Sequence, residues 1–125
     1  MDIVLWIITG IMVLFFLAAG LMKSVGPIAN VRKMPWAQPL STLNIRLIGV
    51  AEVLGAIGLV LPQATNILPV LTPIAAICLA ILMVGATATH RKIHDPRSAS
   101  VTTTVLAVTL LVIAAGRIAQ LLNLF

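Results

Sequence analysis

The chain has little of what a water-soluble protein needs. Only 9% of its 125 residues are charged, against roughly 25% in soluble domains, so it cannot build a surface that faces water. The same deficit excludes disorder, because disordered chains are polar. Acidic residues number three against eight Lys and Arg, and aromatics make up 4% with no tyrosine. With no polar surface to carry a basic groove, the net charge of +5 does not point to nucleic acid. Cys78 is the single cysteine, which excludes an internal disulfide and a CxxC redox pair. The residue alternation of a membrane barrel is missing, as are a phosphate loop and a nucleophile motif.

What is present is hydrophobic: 61% of the residues, with a mean hydropathy of +1.18. A membrane helix needs about 20 mostly apolar residues, and four such stretches can be read. Residues 3–22 and 67–89 are uncharged, 42–61 carry Asn44, Arg46 and Glu52, and 101–125 are interrupted by Arg117, Gln120 and Asn123. The fold expected is therefore all-α, a single four-helix transmembrane domain over residues 1–125. The first stretch lacks a basic flank and is too long for a signal peptide, so it reads as retained. Ser41 or Thr42 is expected to cap the second helix and Pro62 to close it. Thr72 followed by Pro73 suits the start of the third, with 66–71 leading into it. Ser98 or Ser100 suits the start of the fourth, after a turn at Asp95-Pro96.

Charge sets the expected orientation. Lys23, Arg32, Lys33 and Arg46 lie at the first loop and Arg91, Lys92 and Arg97 at the third, while the second loop has none. The positive-inside rule then makes loops 23–41 and 90–100 cytoplasmic and puts both termini outside. The first loop contains Gly26-Pro27, Pro35 and Pro39 and so cannot be one helix. With Met34 and Trp36 beside Arg32 and Lys33, it reads as a connector lying among lipid headgroups, or alternatively as a lid over a cavity.

Polar residues within the apolar stretches are the candidates for function. Glu52 lies six positions past Arg46, about 9 Å deeper along a helix. An unpaired carboxylate in hydrocarbon costs several kcal/mol, so it is expected to face the bundle and be paired or protonated. Gly49, Gly55 and Gly58 flank it at intervals of three, and Ala51 with Gly55 adds a small-xxx-small pair, so a packed helix seam is expected around it. His90 ends the third stretch, with Thr87 and Met83 on its face by helical spacing. Lys23 ends the first stretch at the same depth. Lys23, Glu52 and His90 could together hold a proton, a quinone carbonyl or an anionic headgroup. Each also has a structural alternative: a register-fixing hydrogen bond for Glu52, a snorkelling anchor for Lys23, an interface residue for His90. Arg117 lies near the opposite surface and is explained by pairing with Asp2 or by snorkelling. His90 and His94 have helical ligand spacing, but the turn at Asp95-Pro96 breaks it and no metal site is expected. Cys78, among Ile and Leu, reads as a small hydrophobe.

In Ala19-Gly20-Leu21-Met22-Lys23, in Ile48-Gly49-Val50-Ala51-Glu52-Val53-Leu54-Gly55, and in Met83-Val84-Gly85-Ala86 leading to Thr89-His90, the sequence resembles the DoxX-like family of small four-helix membrane proteins. The resemblance covers nearly the whole chain. It implies that Lys23, Glu52 and His90 are the family's usual polar positions. Proteins similar to this are tied to quinone-linked sulfur oxidation as membrane subunits and to membrane complexes of oxidant defence, and more distant ones to receptor assembly. Quinone–thiol oxidoreductases share the wider four-helix likeness but rely on cysteine pairs that are absent here. The function expected is an accessory subunit that binds a lipid-soluble small molecule, a quinone or lipid, for a membrane redox system. Its partners would be membrane lipid with a redox protein or a second copy of the chain. The alternatives are a small proton-coupled transporter and a structural or chaperone subunit without a ligand. Whether the chain is itself an enzyme is left open.

Overall fold

The computed structural model describes residues 2–94 and 96–123; Met1, Asp95, Leu124 and Phe125 lie outside the described residues, and with them part of the expected Asp95-Pro96 turn and the end of the fourth stretch. Four long helices are joined by loops, and no strand occurs among the described residues. Helix α1 is Asp2–Ser24. A short α2, Ile28–Arg32, and a 3₁₀ turn, Pro35–Ala37, follow in the first loop. Then come α3, Thr42–Thr65, α4, Leu71–Lys92, and α5, Arg97–Leu121. At 1.5 Å per residue the long helices run about 33–38 Å, enough to cross a hydrocarbon core of about 30 Å. Each buries only 28–33% of its most apolar window. What faces outward is apolar as well, including Ile7, Leu14, Leu54, Ile81 and Val105. Such an exterior is stable only against lipid, so this is a multi-pass membrane protein.

Backbone satisfaction explains where the helices run and end. Pro62 does not close α3, which continues to Thr65. Proline has no N–H, so the carbonyl of Gly58, four residues earlier, loses its helical partner. The Thr72 hydroxyl, fully buried on α4, donates to that oxygen at 3.0 Å. A proline inside a membrane helix is tolerated when a neighbouring side chain satisfies the freed carbonyl in this way. The stop comes instead at Asn66, which takes the left-handed conformation (φ 57°) that ends many helices. Thr72 is accordingly no cap. α4 begins at Leu71, just before the expected cap, and Pro73 sits in its first turn, where a missing N–H leaves no bond unmade. Ser41 does cap α3, its Oγ accepting from the Asn44 amide at 3.1 Å. Neither Ser98 nor Ser100 caps α5. Pro96 holds that position, and the Ser100 hydroxyl donates back to the Arg97 carbonyl at 3.1 Å.

α1 packs along α3, and α4 along both α3 and α5, while α1 meets α5 more sparingly. The glycines of α3 do not form one seam. A Cβ on Gly49 would fall 2.5 Å from the Ser24 amide nitrogen and 2.7 Å from the Gly20 oxygen of α1, whereas Gly55 and Gly58 abut Leu79 and Ala75 of α4. Residues three apart on a helix are turned by about 300°, so each step drifts back about 60° and Gly49 and Gly58 point to opposite sides. Gly20 is the other half of the α1–α3 contact, since a Cβ there would meet the Gly49 oxygen at 2.8 Å. The central core runs from Met12 and Phe16 through Leu59, Leu79 and Leu110 to Ile113. A second, smaller core of Val31, Ala37 and Ile45 lies under the first loop.

Two stability differences are expected in detergent thermal unfolding. Gly49→Ala, which meets rigid backbone, costs about 1–3 kcal/mol and more than Gly55→Ala, which meets only the movable Leu79 side chain. Thr72→Val leaves the Gly58 oxygen orphaned and costs about 1–3 kcal/mol.

Candidate functional site

The contacts that bind the α1/α3 pair to the α4/α5 pair gather at one end. There, Leu5 packs on Gly116, Leu79 on Gly55, and Ala75 on Gly58. The Arg117 guanidinium, fully buried, donates to Asp2 Oδ1 and to Gln120 Oε1, both at 2.8 Å, and lies 4.5 Å from the centre of the Trp6 ring. Gln120 Nε2 also donates to Asp2 Oδ1, at 2.9 Å. Arg117 therefore clasps the first turn of α1 to the end of α5 and does not snorkel.

At the other end the two pairs line an open-mouthed cavity of about 980 Å³, within the range of small-molecule sites. Met83 and Leu106, the last members of the central core, lie on its wall, and Phe15, Ile48 and Leu82 add apolar surface. Lys23 from α1, Glu52 from α3 and His90 from α4 all line it. Thr87 does not. Its hydroxyl is turned between helices, 2.6 Å from Thr103 Oγ1 and donating to the Met83 carbonyl at 3.0 Å, so it ties α4 to α5.

Lys23 Nζ donates to Glu52 Oε1 at 2.5 Å, and Glu52 is 1% exposed. The carboxylate is thus paired, as the cost of burying it demands. Its other oxygen, Oε2, is buried with no hydrogen-bond partner among the described residues. The same ammonium lies 5.1 Å from the centre of the Trp36 ring, at cation–π range. One cation thereby joins α1, α3 and the first loop.

That loop is folded onto the end of the bundle. Arg32 is turned inward. Its Nη1 donates to the carbonyl of Ala37 at 2.8 Å and to that of Leu40, and its Nη2 to Thr42 Oγ1 at 3.2 Å. Arg46 Nη1 reaches the carbonyls of Lys23, at 3.2 Å, and Gly26, at 2.7 Å, at the end of α1. Trp36 and Leu40 pack against the small core, and with Pro35 and Pro39 they cover the cavity. The facing wall carries Thr89, Ser98, Thr102 and Thr103. The sequence reading missed these hydroxyls, although their clustering over residues 98–104 exceeds what a helix cap needs. His94 takes φ 57° after α4 has ended at Lys92, so it does not share a helical face with His90. Cys78 and Ala51, with Gly55, border a shallow apolar groove of about 400 Å³ between α3 and α4.

Such a site can seat an apolar body, hold a polar head at the ion pair and exchange hydrogen bonds with it. The sequence model of the DoxX-like family matches residues 7–115. No curated protein and no solved structure gives a significant match.

The ion pair yields a double-mutant expectation. Lys23→Met leaves Glu52 buried without its partner and should cost about 3–5 kcal/mol. Lys23→Met with Glu52→Leu should recover most of that loss, as read by thermal unfolding of the single and double variants.

Proposed function

This chain belongs to the DoxX-like family, and from that premise we propose that it is an accessory subunit of a membrane redox system, holding a lipid-soluble small molecule of the quinone class in the cavity beside Lys23 and Glu52. One observation carries the reading: a cavity walled largely by apolar side chains has a buried ion pair set into it. Apolar walls favour a hydrophobic body, and a few placed polar groups fix its orientation. An ionisable group inside a membrane domain is a candidate functional group. The resemblance to quinone-linked membrane subunits supports the redox setting. What the cavity's side chains supply is a seat and a carboxylate able to exchange a proton, which suits a subunit that presents a ligand to a partner.

A structural role for the pair is the competing reading, because it ties α1 to α3 at 2.5 Å. Chain purified in mild detergent and extracted with organic solvent should yield a bound lipid-soluble compound by mass spectrometry. Glu52→Gln, Lys23→Met and His90→Gln should lower its occupancy severalfold while circular dichroism stays helical. Normal folding with unchanged occupancy in all three leaves a structural bundle. Proton-coupled flux in proteoliposomes would identify a transporter instead.

From the positive-inside rule we infer that the basic end, with the cavity mouth, faces the cytoplasm and both termini face outside. Cysteines at positions 2 and 125, in a Cys78→Ala background, should then react with an impermeant thiol reagent applied from outside the cell. Labelling only from the cytoplasmic side reverses the orientation.

A further inference from the structure

The hydrogen-bonding capacity left over at the cavity wall discriminates between ligand heads. The Thr89 hydroxyl donates to the Gly85 carbonyl at 3.0 Å, and the Thr102 hydroxyl to the Ser98 carbonyl at 2.7 Å. Thr103 Oγ1 lies 2.6 Å from Thr87 Oγ1, whose own proton goes to the Met83 carbonyl, so Thr103 gives its proton to Thr87. A hydroxyl has one proton. When that proton is committed to the helix backbone, the oxygen meets a ligand only as an acceptor. Glu52 Oε2, buried without a partner, is an acceptor too. Lys23 has N–H groups beyond the one on Glu52 Oε1, so the ion pair can still donate. Ser98, on the same wall, can donate or accept and does not discriminate.

We propose that the cavity selects a neutral, hydroxyl-bearing head, so that of a quinone couple it holds the reduced, hydroquinone form; this rests on reading the cavity as a ligand seat. A hydroxyl accepts from Lys23 and donates to the threonine wall or to Glu52. A quinone carbonyl only accepts, so it serves Lys23 and leaves the other acceptors unanswered. A phosphate or carboxylate would face Glu52 and a row of oxygen atoms, and an ammonium would sit against Lys23. A site built around a hydroxyl disfavours the analogue lacking it, because Glu52 Oε2, buried without a partner, is then left unpaired.

The test uses matched probes on the full chain in lipid nanodiscs under anaerobic conditions: decylhydroquinone, decylbenzoquinone and the dimethyl ether of the hydroquinone, each measured by equilibrium dialysis against empty nanodiscs. The hydroquinone should bind at least about tenfold more tightly than either of the others, the margin of roughly one hydrogen bond. Thr89→Val combined with Thr102→Val should reduce that preference to less than about threefold. Equal binding of all the probes overturns the proposal while leaving the cavity as a ligand seat; a preference that survives both substitutions supports it, with Glu52 rather than the threonines as the acceptor. Absence of specific binding by every probe overturns that seat as well. The probe comparison on the unaltered chain decides the matter even if the double variant fails to fold.

Discussion

Hydrocarbon offers a polypeptide no hydrogen-bond partner, and most of the polar detail in this protein answers that constraint. An unpaired backbone group costs several kcal/mol in such a medium. Pro62 frees one carbonyl deep in the bundle, and Thr72 is placed to take it. α1 ends in carbonyls with no partner along the helix, and Arg46 bonds two at that end. The first loop turns sharply beside the membrane, and Arg32 bonds the oxygens this exposes. Arg32 and Arg46 are thus spent on backbone, although their charge also suits the basic end of the chain.

The same economy divides the bundle into a closed end and an open one. At the closed end, glycine contacts, the Thr72 bond and the Arg117–Asp2–Gln120 clasp draw the two helix pairs together. Toward the other end, α1 stays tight on α3 through Gly20 and Gly49, and α4 stays tied to α5 through Thr87 and Thr103. The cavity occupies the space between the pairs there. Its cover is the first loop, held down by the Val31–Ala37–Ile45 core and by Lys23 under Trp36.

How much of this was legible in sequence depends on the kind of signal. The four spans follow from hydropathy alone, since lipid leaves helices little alternative. Lys23, Glu52, Met83 and His90 were brought together by depth and helical spacing, and all four line the cavity. Thr87 shares the His90 face by spacing, yet its neighbour across α5 turns it into a helix tie, which no single-helix periodicity reveals. Pro62 reads as a stop because the residue that rescues it lies ten positions away on another helix. The glycine interval of three looks like one seam until its drift of about 60° per step is followed around the helix. The loop's fold escaped because Arg32 looks like a lipid-facing cation until its carbonyl partners are known.

Glu52 is the residue that packing does not account for. Replacing a buried ion pair by apolar side chains of similar volume is often neutral or stabilising, because desolvation offsets the attraction. In a chain that is 61% hydrophobic, leucine would be the ordinary choice at such a position. The contrast with Arg117 is instructive. Arg117 too has buried nitrogens, Nε and Nη2, without a hydrogen-bond partner among the described residues, but its carboxylate partner Asp2 is 59% exposed, so that clasp buries only one of its two charges. At Glu52 the carboxylate is sealed, and one oxygen has no partner among the described residues. A group this costly, at the wall of a large cavity, is best supported by an occupant that completes its hydrogen bonds.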